Sequence, residues 1–472
     1  MSPEAARERR LATTQSICPR CKALLDAELV EREGKVVLTR TCPEHGAFEA
    51  VVYGDAERWA EIQRFDKPGE EPLERQTEAI RGCPHDCGIC PEHAQHTCIG
   101  VIEVNTACNL DCPICFADSG TGHQEHGFSL SLARVESMLD AFIRAEGEPE
   151  AVQLSGGEPS IHPEILDMLA AARDRGIPLV MLNTNGIRLA RDRRFAPALA
   201  ELGVHVYLQF DGLQESTHRA IRGRSLAKEK LRALDRCAEA GLGVSLAAAV
   251  ERGINEHEVG EIVRFGVAHP AVSGVFFQPV THSGRFRVEA DPLDKLTNSD
   301  VIELVATQLP EWFRPEDFVP VPCCSPTCRS ATFALYDEED LIPLPRLVDV
   351  EGYLDYVTNR AVPDPEVRAA LEGLWSAKAA GGSAPTAERL ECVACATALP
   401  EELREVAARG FMIVVQDFQD PYTLDLGKLR KCCVSEIAPD GRLIPFCAYN
   451  SVGYREQVRA EMSAAAEEAP AA

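Results

Sequence analysis

The cysteines constrain this 472-residue chain most, because all but one of the nineteen lie in short clusters. The clusters occupy loops interrupted by Pro and Gly, such as "CPRC", "CPHDCGICPEH" and "CCSPTC", whereas buried structural thiols would be scattered among apolar positions. The amino-terminal "MSPEAARERRLATTQ" lacks the apolar core of a secretory signal, so disulfides are not expected. The clusters therefore indicate metal ligands, and only Cys237, on the apolar face of a predicted helix, is interpreted as a core thiol.

Charge and hydropathy argue against two classes of function. Lys and Arg total 48 against 74 Asp and Glu, which gives a formal net charge of −26. Nucleic acid is not expected as a partner, because phosphate binding needs a basic surface. No apolar run approaches the roughly 18 residues of a spanning helix, so no transmembrane segment is predicted. The expected location is cytoplasmic, and at most peripheral to a membrane.

From residue 101, apolar runs of strand length alternate with amphipathic helical stretches. Six such units up to about residue 290 predict a parallel sheet with right-handed crossovers. The predicted fold class is α/β, with a partial (β/α)6 TIM-type barrel, a small N-terminal metal-binding domain and a C-terminal iron–sulfur cap. The predicted boundaries are 1–54 for a zinc-ribbon or rubredoxin-like metal domain, 55–100 for a connector with an auxiliary cluster, 101–290 for the barrel, 291–454 for a C-terminal auxiliary-cluster domain, and 455–472 for a disordered or frayed tail.

Three cysteines directly follow the first predicted barrel strand: Cys108, Cys112 and Cys115, in C-x3-C-x2-C spacing. Three thiolates can hold three irons of a [4Fe–4S] cluster and leave the fourth iron open to a small molecule. An open coordination position is typical of a catalytic metal centre rather than a closed structural one. The carboxyl ends of barrel strands carry the active site, so these cysteines are predicted to be catalytic.

A second motif, "LSGGEP", ends the second predicted strand, where two glycines would let the backbone approach a ligand closely. An ordinary strand-to-helix turn is the alternative, but its place one strand after the cysteines favours a ligand site. Together the two motifs, with Phe116 after the third cysteine, resemble the radical S-adenosylmethionine (SAM) superfamily. The resemblance implies that SAM chelates the open iron and that Glu158 accepts from its ammonium group. The implied SAM-binding residues are Ser155, Gly156, Gly157, Glu158 and Pro159.

Four polar residues follow later strands of the predicted barrel: Asn183, Asn185, Gln209 and Asp211. Their place at the strand ends favours contacts with the ribose or adenine of a cofactor, or with substrate. Each residue type is equally suited to capping a helix. Both interpretations stay open from the sequence.

Two accessory metal sites precede the barrel. The thiols of Cys83, Cys87, Cys90 and Cys98 lie within sixteen residues and predict a closed auxiliary [4Fe–4S] cluster, with structural zinc as the alternative. A C-x2-C…C-x2-H pattern predicts a mononuclear zinc or rubredoxin-like iron site. Its four ligands would be Cys18, Cys21, Cys42 and His45.

The late cysteines exceed what one more cluster needs. Adjacent pairs, Cys323 with Cys324 and Cys432 with Cys433, do not easily point both side chains at one cluster, because strand neighbours alternate faces. The predicted ligands are Cys324, Cys328, Cys433 and Cys447. The C-x2-C pair of Cys392 and Cys395 is an alternative source of two of them.

The order of these motifs, ending in "KCCVSEIAPDGRLIPFCAYN", resembles the archaeal tetraether lipid synthase group and its bacterial relatives, also labelled 7,8-dihydro-6-hydroxymethylpterin dimethyltransferases. The resemblance implies three [4Fe–4S] clusters, one mononuclear zinc or iron, and a low-potential electron donor of ferredoxin or flavodoxin type. It implies reductive cleavage of SAM to a 5′-deoxyadenosyl radical, which abstracts hydrogen from unactivated carbon. The predicted outcome is carbon–carbon coupling of lipid alkyl chains, with the lipid taken from a membrane surface.

Two rival functions remain. The pterin label implies a radical methyltransferase, whose small-molecule product gains a methyl group instead of losing hydrogens. A non-catalytic iron–sulfur electron carrier is the alternative from another class. Such a carrier needs no SAM site, so the intact "GGEP" segment weighs against it.

Overall fold

The computed structural model describes residues 8–120, 127–287, 289–321, 323–337, 340–346 and 410–468. Cys392 and Cys395 lie outside these residues. The strands are β1 (Arg9–Ile17), β2 (Leu24–Arg32), β3 (Lys35–Cys42), β4 (Gly46–Tyr53), β5 (Ile99–Asn105), β6 (Ala151–Gly156), β7 (Leu179–Thr184), β8 (His205–Gln209), β9 (Val244–Val250), β10 (Val272–Pro279), β11 (Val319–Pro320), β12 (Arg329–Asp337), β13 (Asp340–Pro343), β14 (Gly410–Gln416), β15 (Val434–Ile437) and β16 (Leu443–Pro445).

The helices are numbered separately along the same described residues. None of them is both long and apolar enough to cross a bilayer. They are α1 (Ala56–Ile62), α2 (Leu132–Glu146), α3 (Ile165–Asp174), α4 (Ile187–Arg191), α5 (Phe195–Glu201), α6 (Glu215–Arg222), α7 (Ala227–Glu239), α8 (Val259–Ala268), α9 (Asn298–Gln308), α10 (Leu426–Arg430), α11 (Phe446–Ser451) and α12 (Tyr454–Glu468).

The amino-terminal strands β1 to β4 form an antiparallel meander of their own. The turn between β2 and β3 is Glu33-Gly34, with φ angles of 53° and 76°. Two successive residues with positive φ are the requirement of a tight hairpin turn, which the alternating pattern on either side predicts. The β2–β3 hairpin places the β1–β2 connection, with Cys18 and Cys21, at the same end of the sheet as Cys42, the last residue of β3, and His45 of the β3–β4 connection.

Local sequence signals explain where the barrel helices begin and end. The Ser131 side chain accepts a hydrogen bond from the Arg134 N–H and caps the start of α2. Gly147, with φ of 76°, ends the same helix, because a left-handed backbone favours glycine. The helix buries one face against the sheet, including Val135 and Phe142, as its apolar spacing predicts.

Strands β5 to β10 run parallel and pair in chain order, which confirms the predicted partial barrel of six β/α units. Parallel strands of this kind are covered on both faces, and here every residue of β5 is buried. One face packs on the helices, and the other lines the lumen. Residues that follow the carboxyl ends of these strands therefore converge at one rim.

The C-terminal segment adds to the barrel sheet at both of its edges. Strand β14 pairs in parallel with β10, and β15 pairs in parallel with β5. Strands β12 and β16 then continue the sheet in antiparallel orientation. The sequence predicts a separate cap, but β14 is buried over its whole length and needs cover on both faces. The eight parallel strands among the described residues thus come from two distant parts of the chain.

Helix α12 replaces the predicted frayed or disordered tail over most of its length. Arg455, on its first turn, donates to the Glu103 carboxylate at 2.7 Å, and the two side chains are only 5% and 6% exposed. The Tyr449 hydroxyl donates to the second oxygen of Glu103 at 3.2 Å. A buried carboxylate needs such partners. This ion pair attaches the helix to the first barrel strand.

Substitution of Arg455 by Met is expected to destabilise the protein, because it leaves Glu103 charged and unpaired inside it. Removing one partner of a buried ion pair costs about 3–5 kcal/mol. Arg455→Met should lower the thermal unfolding midpoint and speed amide hydrogen exchange in α12. Arg9→Met is the control, because its pair with Glu31 is 69% and 31% exposed and such pairs contribute about 0–1 kcal/mol. Equal shifts in both variants would contradict the assignment.

Candidate functional site

One cavity fills the lumen of the parallel sheet and contains about 1570 Å³ of empty space, its open mouth included. Three alternate residues of β5 line it, Ile99, Val101 and Glu103. Alternation is expected, because successive side chains of a strand point to opposite faces. At about 3.3 Å per residue the cavity follows β5 for roughly 13 Å. The lumen is therefore long enough to hold a cofactor and a second small molecule.

The three cysteines of the C-x3-C-x2-C motif line this cavity at the carboxyl ends of the strands. They pack with one apolar cluster that includes Leu110 and Leu226. Burial raises the pKa of Cys108 to about 12 and raises that of Cys112, whereas the nearby Arg222 guanidinium lowers the latter. Metal binding overcomes such penalties, because a metal ligand must be the thiolate. Three thiols that line one cavity provide the donor set of a cluster with one exchangeable iron.

The glycines of "LSGGEP" line the same cavity together with Ser155. Gly156 has a φ of 126°, a conformation that favours glycine. A Cβ on Gly156 would collide with the Asn105 carbonyl oxygen, and one on Gly157 with that of Ala107. The glycines therefore let β6 approach the loop that carries the cysteines. Close packing of β6 against this loop explains why the motif has two glycines, whether or not they also contact a ligand.

Glu158 is fully buried and is not among the residues that line the cavity. Its carboxylate accepts hydrogen bonds from the Ser160 N–H, the Thr184 hydroxyl and the Asn185 N–H. Pro159 begins the short 3-10 helix that follows and is also buried. The structure thus places Glu158 and Pro159 behind the wall, where they fix the ends of β6 and β7. Direct contact of Glu158 with a cofactor remains a prediction.

Three of the four later polar residues line the cavity, namely Asn183, Asn185 and Gln209. The side-chain oxygen of Asn185 also accepts a hydrogen bond from the Ile187 N–H at 3.0 Å and so supports the start of α4. Its contact with a cofactor or substrate stays a prediction. The Asn183 amide donates to the Ser155 hydroxyl at 3.1 Å, while its carbonyl oxygen is buried without a partner.

Asp211 lies away from the cavity wall and instead positions an arginine that sequence reasoning missed. Its carboxylate is fully buried and accepts two hydrogen bonds from the Arg222 guanidinium, at 2.6 and 2.7 Å. This cation keeps the pKa of Asp211 below its usual range against the effect of burial. Arg222 lines the cavity beside Cys112. No sequence signal distinguishes it from the other arginines of its segment, "HRAIRGRS".

The four predicted ligands of the amino-terminal site come together. The ligand atoms of Cys18, Cys21, Cys42 and His45 all lie within 4.8 Å of one another. The His45 Nδ1 lies 3.6 Å from the sulfurs of both Cys18 and Cys42. Three thiols and one imidazole suit tetrahedral zinc or mononuclear iron. Hydrogen bonds from the backbone of Cys21 and Arg20 outweigh burial and lower the pKa of Cys18 to about 7.

Substitution of Cys42 by Ser should remove about one zinc or iron ion per chain, because a structural site needs all four ligands. The metal content of the anaerobically purified protein, measured by plasma mass spectrometry, tests this. Cys237→Ser is the control, since that thiol is buried in α7 within the main apolar core. Full retention of zinc and iron in Cys42→Ser would show that these four residues hold no metal.

Cys98 joins a different group from the one the spacing predicts. Its sulfur lies within 4.8 Å of those of Cys323 and Cys433, and these two are 3.5 Å apart. The reason is strand pairing. Ile99, the first residue of β5, lies opposite Val434, the first of β15. The residue before each, Cys98 and Cys433, is therefore brought alongside the other, and the Cys98 N–H donates to the Cys433 carbonyl at 2.8 Å.

The remaining late cysteines divide between two buried groups. Cys324 and Cys328 interact with Cys433 and belong with Cys323, contrary to the expectation that only one of an adjacent pair would take part. Cys447 instead lies beside Cys432, in an apolar cluster with Cys83 and Cys87. Two groups of thiols result, which we term the lumen group and the outer group. The lumen group is Cys98, Cys323, Cys324, Cys328 and Cys433, and the outer group is Cys83, Cys87, Cys90, Cys432 and Cys447.

This grouping of the cysteines predicts which pairs of cysteine substitutions remove iron additively. Cys433→Ser should remove about one cluster of iron, and adding Cys323→Ser should remove no more, because both thiols serve the lumen group. Adding Cys87→Ser to Cys433→Ser should remove about two clusters, since the outer group is independent. Iron content and electron paramagnetic resonance of the reduced protein measure both. Additive loss for Cys323 with Cys433 would refute the grouping.

Several charged residues of the lumen were not predicted as site residues. Glu103 and Glu436 stand inside otherwise apolar strands, "VIEVN" and "VSEI", and an ionisable residue at such a position is a recognisable signal. Arg455 lies in an Ala- and Glu-rich stretch that carries no such signal. Arg329 lies between the lumen and the lumen group, whose thiols help to keep its pKa above the usual value against the effect of burial.

Two known protein families match parts of this chain. The profile of the radical SAM superfamily matches residues 102–266, and that of the HMPTM N-terminal zinc ribbon domain matches residues 10–54. The chain is 31% identical over 491 aligned residues to the 7,8-dihydro-6-hydroxymethylpterin dimethyltransferase of Methanocaldococcus jannaschii, covering 96% of each chain.

Two further similarities cover part of the chain. The GTP 3′,8-cyclase of Shewanella denitrificans is 30% identical over 163 residues, covering 34% of this chain and 46% of the cyclase. The crystal structure of Streptococcus suis SuiB bound to precursor peptide SuiA superposes with a TM-score of 0.38 at 16% identity, covering 46% of each chain.

Proposed function

We propose a function from one premise: the chain belongs to the radical SAM superfamily, in the family that includes the pterin dimethyltransferase of M. jannaschii. The chain is thus a radical SAM enzyme, and what remains to be proposed is its substrate. We infer that the substrate is a small nitrogen heterocycle of the dihydropterin class. The reaction proposed is methylation at carbon, in which a C–H hydrogen is replaced by a methyl group. One SAM would be consumed as methionine and 5′-deoxyadenosine, a second SAM would supply the methyl group and leave as S-adenosylhomocysteine, and the low-potential reductant would supply two electrons.

The polar groups of the lumen carry this proposal. Side chains from successive parallel strands line the cavity with amide or hydroxyl groups, while the walls between them are apolar. A planar heterocycle presents both hydrogen-bonding edges and apolar faces, and binding pockets of this composition suit it. The groups are Gln153, Asn183, Tyr207, Gln209, Gln278 and Gln416.

The cysteines of the C-x3-C-x2-C motif would hold the [4Fe–4S] cluster at the mouth of this lumen. With SAM on its open iron, that cluster supplies reductive cleavage to methionine and a 5′-deoxyadenosyl radical. The chain's own residues shield and position the reactants. Phe116 stacks on Phe446 at 5.2 Å, and Phe418 packs on Phe446 at 4.8 Å. All three rings line the cavity and exclude water from this part of the wall.

The lumen group of cysteines lies at the opposite end of the cavity. Val434 lines the cavity and directly follows Cys433, while Arg329 lines it beside the same thiols. A cluster held there would be close enough to substrate to exchange an electron with it. The cationic Arg329 would stabilise the reduced, more negative state of such a cluster.

Coupling of lipid chains, the main prediction from the sequence, gains no support from this lumen. An alkyl chain would leave the side-chain oxygen of Asn183 without a hydrogen bond, and a buried polar group left unpaired costs about 1–3 kcal/mol. The relative that spans the whole chain is named for a pterin reaction. The electron-carrier alternative does not fit membership of the radical SAM superfamily together with a cavity of this size.

Anaerobic reconstitution tests the proposal directly. The protein with SAM, a low-potential reductant and 6-hydroxymethyl-7,8-dihydropterin should form 5′-deoxyadenosine and a pterin heavier by one CH₂. Mass spectrometry follows both products. Cys112→Ala, which removes a cluster ligand, should lower both at least about a hundredfold, because the chemistry requires the cluster.

A total lipid extract provides the competing substrate in the same assay. Hydrogen-deficient coupled lipids with no methylated pterin would overturn the proposal in favour of chain joining. Failure of either substrate to raise 5′-deoxyadenosine above the level without substrate would also count against it. Cys237→Ser should behave as the unmodified protein, because its thiol lies in the core behind the barrel.

A further inference from the structure

A carboxyl group without a complete set of partners faces the middle of the lumen. Glu436 lies on β15, lines the cavity, and is only 2% exposed. Its Oε1 accepts a hydrogen bond from the Glu103 N–H at 2.9 Å, while its Oε2 is buried without a partner. A buried oxygen without a hydrogen-bond partner is destabilising, so its position needs an explanation.

The surrounding charges do not satisfy Glu436. The Arg455 guanidinium and the Tyr449 hydroxyl both donate to Glu103, which leaves Glu436 with a second carboxylate as its neighbour. Burial and the charge of Glu103 raise the pKa of Glu436 well above its usual value. Arg459 is the other nearby cation, but it donates to the carbonyls of Ala117 and Asp118. A hydrogen-bond donor from outside the protein would complete the group.

Along the axis of the lumen, Glu436 also lies at the level where a substrate would bind. In the β5–β15 ladder it is opposite Val101, two residues before Glu103 and four before Asn105. The C-x3-C-x2-C motif lies beyond Asn105, and the lumen group lies beyond Ile99 at the other end. The free Oε2 is therefore between the two cysteine sites and not part of either.

We propose that Glu436 is a specificity-determining residue, whose Oε2 accepts a hydrogen bond from the amino-substituted edge of the substrate's pyrimidine ring. The inference rests on the proposed function and extends it by naming the group recognised. A pterin carries an exocyclic amino group beside a ring N–H, so this edge offers the donors that Oε2 lacks. Sites built to bond a donor reject an analogue without it, because the buried acceptor is then unpaired.

A pair of analogues tests the proposal on the reconstituted protein. One is 6-hydroxymethyl-7,8-dihydropterin, and the other has oxygen in place of its exocyclic amino group. We expect the unmodified protein to prefer the amino compound at least about tenfold in KM, as the cost of leaving a buried acceptor unpaired allows. Glu436→Gln, whose amide can either donate or accept, should reduce the preference to less than about threefold.

Integrity of the variants is measured separately from specificity. Glu436→Gln should retain its iron content, because Glu436 contacts neither cysteine site. Glu261→Gln, the same chemical change at an exposed position on α8, should keep the full preference. If Glu436→Gln does not fold, Glu436→Asp withdraws the carboxylate by one methylene and should also weaken the preference.

The outcomes separate this inference from the function on which it rests. Methylation of the pterin with an undiminished amino preference in Glu436→Gln would refute the role of Glu436 and leave the function standing. Equal use of both analogues by the unmodified protein would refute it as well. No stimulation of SAM cleavage by either compound in the unmodified protein would overturn the proposed function, and this inference with it.

Discussion

The parallel pairing of β15 with β5 is the contact on which the rest of the lumen depends. It brings Cys98 beside Cys433 and Glu103 beside Glu436, from parts of the chain separated by 333 residues in the second case. It also sets the start of α11 and α12, whose aromatic and cationic residues form one wall of the cavity. Without this pairing the first barrel strand would have a free edge, and the lumen would be open along it.

Buried cations then organise the charges that the lumen concentrates. Arg455 neutralises Glu103, and Arg222 pairs with Asp211 beside the cysteine motif. Each arginine also lines the cavity, so one side chain serves both a buried partner and the reacting space. Such pairs contribute little net stability by themselves, because desolvation offsets most of their attraction. Their effect is to keep full positive charges close to a site that assembles anionic thiolates.

Sequence reasoning identified the features that short spacings determine and missed those that contacts between distant segments determine. The barrel units, the cysteine motif and the amino-terminal ligands follow from short spacings, and the structure brings each of the last two sets together. The grouping of Cys98 could not follow from spacing, because a strand pairing between distant segments decides it. For the same reason, the pairing of β14 with the barrel strand β10 could not be predicted, and the segment that contains β14 was expected to form a cap.

Insertion of the C-terminal strands at both edges of the barrel has a consequence for synthesis of the chain. Six parallel strands emerge from the ribosome with both edges exposed, and β14 and β15 follow only from residue 410 onward. Exposed edges of parallel sheets are prone to wrong pairing. The lumen group of cysteines is likewise incomplete until Cys433 has been made. Loading of a cluster at that site must therefore follow synthesis of Cys433, whereas the four amino-terminal ligands are all present once residue 45 has left the ribosome.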